Sequence, residues 1–362
     1  MLNQQAPVVT KRLSWPKAFI KSLSAVLLCS IAMGFLFAPK ELTRRRAKTH
    51  NQVLSCVPAP DGKSVFTLLS SLDTEHTRSA RVLRVLHHDL SENPAPPPQV
   101  ICSSFRMACL ALDPIGSRLL VADQDGTLYS IGLLMAGKKK LGLLAKGCPM
   151  SIQISRDGKL MILHDVFGVH AWNIDLSVEE SSPLWFRADR SLSCFVIDPD
   201  SQTVVCGRTF ETQSELVEFN IQTGEIKSLL QQMPGSLKRL AISSDGRFLA
   251  AVNETGEIAL FQRALTQEPW QSCSLLGLCS GSLAIACFSP DGELLITSDR
   301  DNRRLCAWDL QRKEMRYEFD SHTGFVRGCE FIVDDQILSW SSDNTLRVWN
   351  LQSSSPVREI KL

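Results

Sequence analysis

The sequence predicts an all-β fold, a seven-bladed β-propeller preceded by an N-terminal transmembrane helix. Two observations predict it. The first is a phrase repeated seven times, clearest at Phe288-Ser289-Pro290-Asp291-Gly292 and Ile242-Ser243-Ser244-Asp245-Gly246. Its last residue falls at Gly62, Gly116, Gly158, Ser201, Gly246, Gly292 and Asp335, giving spacings of 54, 42, 43, 45, 46 and 43 residues. A period of roughly 40–45 residues is the length of one four-stranded blade. The second is an uncharged run from Ser22 to Ala38 ahead of the repeats. The chain therefore divides into a basic tail (1–21), an anchor (22–38), a basic linker (39–51) and a propeller (52–362).

As a helix, the 17 residues of the anchor span about 25 Å, slightly less than the roughly 30 Å hydrocarbon core of a bilayer. Phe19 and Ile20 lengthen the span if Lys21 snorkels to the interface. The rival reading is a cleaved secretory signal, but Leu36 stands where a small residue should precede Ala38. Basic residues nearly balance across the span: Lys11, Arg12, Lys17 and Lys21 before it, Lys40, Arg44, Arg45, Arg46 and Lys48 after it. Unpaired cysteines tip the expectation towards a single-pass membrane protein with its propeller on the cytoplasmic side.

Each repeat opens with a period-two apolar row, such as Leu110 and Leu112, Phe195 and Ile197, or Leu240 and Ile242. Such alternation is a strand with one buried face, and the Asp-Gly that follows turns it into the next strand. Pro58 breaks the row in the first copy and fits only a strand end or edge. The second strand is short and apolar, as in Leu119-Leu-Val-Ala122 and Phe248-Leu-Ala-Ala251. The third ends on Trp172, Phe219, Phe261, Trp308 or Trp349, a ring expected to pack one blade on the next. Pro356 to Leu362 can supply the outer strand of the last blade. The ring is then expected to close by packing of blade 1 on blade 7, without an exchanged strand.

Ala307-Trp308-Asp309-Leu310 and Val348-Trp349-Asn350-Leu351, each downstream of a Ser-Pro-Asp-Gly-like turn, resemble WD (Trp-Asp) repeats. The resemblance implies a structural network in the last blade formed by His322, Ser339 or Ser341, Asp343 and Trp349. It also implies a platform for protein partners. Trp340 stands where the family usually has glycine or another small residue, and is a candidate protein-binding anchor. Packing between blades is its alternative role. Arg300, Arg303, Phe325 and Arg327 are candidates for the rim of that site.

A net charge of +1 over 362 residues argues against nucleic-acid binding. The Lys138-Lys139-Lys140 run reads as a solvated strand connection, and His87-His88 as solvated residues leading into one. The 12 cysteines contain no Cys-x-x-Cys pair and read as buried thiols rather than metal ligands. No catalytic motif is present, so no cofactor, metal, catalytic residue or small-molecule substrate is expected. The expected function is a membrane-anchored, non-catalytic scaffold binding protein partners. The alternatives are a propeller enzyme of the lactonase-like hydrolase type and an exported, ligand-sensing propeller.

Overall fold

The computed structural model describes residues 52–73, 80–91, 96–104, 107–133, 137–143, 147–175, 180–211, 213–265, 268–278, 285–298, 303–332, 335–353 and 355–362. The proposed tail, anchor and linker, together with Arg300, lie outside the described residues. No helix among the described residues is long and apolar enough to cross a membrane.

The described strands form seven four-stranded antiparallel sheets, each built from four consecutive strands. The blades cover 52–104, 107–143, 149–188, 192–234, 237–278, 286–320 and 326–361. The first strands of successive blades touch one another around the ring, so they line its centre. Arg358–Lys361 is the outer strand of blade 7, and blade 1 supplies all four of its own strands. Among the described residues the ring thus closes without an exchanged strand. Pro58 is the last residue of the innermost strand of blade 1, where no further ladder bond is needed.

The repeated phrase works as a turn. At Gly62, Gly116, Gly158, Gly246 and Gly292 the backbone is left-handed, with φ of 64–73°, and Ser201 adopts the same conformation at 59°. In each, the amide bonds the carbonyl three residues back, as from Gly246 to Ser243 at 2.8 Å. The residue before the turn contributes too: the Ser243 hydroxyl bonds Asp245 at 2.6 Å and accepts the Phe248 amide at 2.9 Å. This local closure reverses the chain in so few residues that the apolar rows of both strands fall into register.

Apolar clusters fill all seven blade-to-blade interfaces. Alternation along each strand sends one face to the preceding blade and the other to the following one. In blade 7, Cys329, Ile337 and Trp349 pack on blade 6, while Leu338, Trp340, Leu346 and Val348 pack on blade 1. Phe219, Phe261 and Trp349 are fully buried against the preceding blade, whereas Trp172 and Trp308 are only half-buried.

Two expectations are corrected. Lys138 to Lys140 belong to the outer strand of blade 2, Gly137–Leu143, rather than to a connection. His87 and His88 lie within the third strand of blade 1, where His88 is buried. Of the ten described cysteines, five are buried and Cys148 is exposed.

Candidate interaction face and central channel

The His322 network is assembled in one direction. A carboxylate can only accept, so the His322 Nδ1–H donates to Asp343 Oδ2 at 2.9 Å. The opposite nitrogen then accepts the Ser339 hydroxyl at 2.7 Å, and Ser339 Oγ in turn accepts the Trp349 indole N–H at 2.8 Å. Ser341 stands outside this chain and accepts the Asp343 amide at 3.2 Å. Burial pushes the Asp343 carboxyl up, but hydrogen bonds from His322, Thr345 and the Thr323 amide outweigh it and hold the group well below the usual carboxylate range. The network ties the link before blade 7 to the turn between its second and third strands.

Trp340 leaves only 6% of its surface exposed. The cross-strand pairing sets it opposite Gly328. At the same place in blades 1–5 stand Leu68, Ala122, His164, Gly207 and Val252, all smaller and facing Ser55, Cys109, Ser151, Cys194 and Arg239. The indole fits because residue 328 has no side chain: a Cβ there would lie 2.1 Å from the ring. Phe325 is 51% exposed and Arg303 is exposed. Both fall on the face carrying the turns between second and third strands and are exposed there, whereas the indole is buried. Arg327 is half-buried in the innermost strand of blade 7, with burial lowering its basicity. The Gln52 amide oxygen, turned towards it, accepts its Nη1–H at 3.0 Å.

A second group on the turn face carried no sequence signal, because its members come from separate strand ends and turns. Val166, Phe186 and Phe210 are 42%, 39% and 48% exposed on blades 3 and 4. Phe167, Phe186, Ala188 and Arg190 enclose a pocket of about 490 Å³. Phe186 stacks on His170 at 4.3 Å, and the Arg190 guanidinium lies 5.2 Å from the centre of the Phe167 ring. His170 is itself fixed by Asp165 at 3.0 Å. The pocket is a rigid aromatic surface with one cation at its edge.

The central channel holds a cavity of about 600 Å³, lined by the innermost strands. Its charged lining residues are Arg156, Asp198, Arg239, Arg327 and Glu330. Asp198 is committed to a fully buried ion pair with Arg263 of the next blade, whose guanidinium also donates to the Gly246 carbonyl at 2.7 Å and packs on the Trp270 ring. Burial pushes the Glu330 carboxyl up to about 7 while Arg239 pulls it down. No group of three or more His, Cys, Asp or Glu among the described residues is placed to hold a metal. His88 bonds the Thr67 hydroxyl at 2.9 Å and His164 the Leu192 carbonyl at 3.1 Å, so these imidazoles serve the sheets.

Residues 313–350 match the family model described as WD domain, G-beta repeat. The chain is 31% identical over 249 residues to telomerase protein component 1 of Mus musculus and 25% identical over 248 residues to that of Rattus norvegicus. Each match covers 65% of this chain but only 9% of the relative, so the chain spans about a tenth of those proteins. It is 28% identical over 193 residues to the tRNA (guanine-N(7)-)-methyltransferase non-catalytic subunit wuho of Culex quinquefasciatus, covering 52% of this chain and 41% of that one. Among solved structures, the β-propeller domain of Cps50 (Swd1) from Myceliophteria thermophila superposes with a TM-score of 0.62 at 14% identity, over 86% of this chain and 99% of that domain. Turn chemistry, the His322 network and these similarities agree: the chain is a seven-bladed propeller that carries a WD repeat at residues 313–350 and is similar to WD-repeat proteins.

Proposed function

We propose that this protein is a non-catalytic docking platform, held to a membrane by a single pass through residues 22–38 and presenting its propeller on the cytoplasmic side. The carrying observation is the exposed aromatic group on blades 3 and 4, with Phe186 and Phe210 standing out from a rigid sheet edge. Aromatic side chains lose little conformational entropy on contact, so such a group suits a protein partner. Phe325 and Arg303 extend the same face across blades 6 and 7. The reading is supported by a relative whose name describes a non-catalytic subunit, and by histidines engaged in sheet hydrogen bonds.

The test is affinity purification of the tagged full-length chain from membranes, beside a Phe186→Ser/Phe210→Ser double variant. The platform reading expects a defined partner set that the double variant loses while remaining folded by circular dichroism. Identical partner sets would remove this face. Recovery of the wild-type chain in the soluble fraction, free of detergent, would remove the anchor.

A further inference from the structure

We propose that the central channel is a binding site for a compact, multiply charged oxyanion of the phosphate type, held by Arg239 and Arg327 with Arg156 towards the other mouth. This goes beyond the docking role, since the channel and the aromatic face are separate surfaces.

The charge in the channel is unbalanced. Three guanidiniums, from blades 3, 5 and 7, line one cavity. Of the two carboxylates that could balance them, Asp198 is already neutralised by Arg263. Glu330 is the other, and burial keeps it partly protonated near neutral pH. None of the three arginines has a carboxylate at ion-pair distance among the described residues. Arg156 uses one N–H, on the Ser244 carbonyl at 3.3 Å. Arg327 is the telling case. Its Nε–H is buried without a partner, and burial depresses its basicity with no opposing acid. A half-buried cation without a counter-charge is costly, and an anion in the channel supplies one.

Size selects the ligand. About 600 Å³ lies within the range of small-molecule sites and is far too small for a folded partner. Arg239, exposed to the channel and without a carboxylate at ion-pair distance among the described residues, offers a planar fork that matches a phosphate edge.

The test is calorimetric titration of inorganic tripolyphosphate into the purified full-length chain at constant ionic strength. The wild type is expected to bind one equivalent. Loss of a charge-assisted pair in Arg239→Gln should weaken binding about tenfold. Glu330→Gln, which removes the one competing charge, should tighten it. Arg190→Gln, outside the channel, should leave it unchanged. Titration of a phosphorylated inositol then distinguishes a small organic phosphate from an inorganic chain as the preferred source of the same chemistry. The proposal is overturned if the wild type shows no saturable binding, if Arg239→Gln binds as the wild type does, or if Glu330→Gln binds more weakly. An acidic peptide of equal charge competing as well as tripolyphosphate would overturn the small-anion assignment.

Discussion

Gly328→Ala should cost far more than one methyl group suggests. The new Cβ would lie 2.1 Å from Trp340 Cζ2, 2.4 Å from Cε2 and 2.7 Å from Cη2. The atoms met belong to a ring and not to the end of a flexible side chain. Gly328 is held in the ladder opposite Trp340, and the indole is packed against Val53, Cys56, Leu69 and Leu86 of blade 1. Overpacking costs typically about 1–3 kcal/mol, and three ring atoms inside contact distance place this case at the upper end, about 3 kcal/mol. For a domain this large that is a fall in Tm of about 6 °C. Trp340→Leu alone should be destabilising by a similar amount, about 3 kcal/mol, because it leaves a cavity at the seam that closes the ring. Combined with Gly328→Ala, the leucine relieves the clash, so the two costs should fall short of their sum by about 2 kcal/mol. Denaturant unfolding of the four full-length chains measures the cycle. A Gly328→Ala chain as stable as the wild type, or strictly additive costs, would refute the reasoning.

Ser339→Ala leaves both the His322 ring and the Trp349 N–H without their buried partner and should cost about 1–3 kcal/mol, against less than about 1 kcal/mol for Ser341→Ala, by thermal melts. Arg263→Met strands a buried Asp198 carboxylate and should cost about 3–5 kcal/mol; adding Asp198→Asn should recover part of it, by denaturant titration. Glu330 holds its proton in the folded chain up to about 7, above the roughly 4.3 of an unfolded glutamate. Its contribution is thus complete below about pH 4 and lost as pH rises to about 7, and unfolding midpoints across that window should flatten in Glu330→Gln. Asp343 has the opposite sign: its contribution is present above the roughly 3.9 of an unfolded aspartate and lost below it. Asp343→Asn should therefore blunt the loss of stability on acidification below about pH 4, read from the same midpoints.

Much of the fold was legible because its signals are local. The Ser-x-Asp-Gly phrase carries its own reason: a left-handed residue, an amide bond three residues back and a serine hydroxyl on the following strand. Six of the seven marker positions adopt that backbone, among them Ser201, which does so without glycine. The His322, Ser339, Asp343 and Trp349 set was legible for a similar reason, since it lies within one blade and its connecting link.

His87 and His88 lie inside a strand although both are polar, and polarity alone does not distinguish a buried, hydrogen-bonded imidazole from a solvated one. The Thr67 hydroxyl on the neighbouring strand, bonded to His88, could not be seen in the local pattern. Trp340 shows the limit most clearly. Alternation determines which face of a sheet a residue occupies. Whether that face meets solvent or another sheet depends on the next blade, and for the last blade that is the first one, more than 250 residues away in the chain.

By itself, then, the sequence determined the blade count, the turns and the strand alternation, because each is set by contacts within a few residues. Only the tertiary structure decided the rest: the seam that closes on Trp340 and Gly328, the aromatic pocket of Phe167, Phe186 and Arg190 on the turn face, and the arginines brought from blades 3, 5 and 7 into one channel. A ring brings distant segments together at its seam, its faces and its centre, and these are the places where local pattern carries no information.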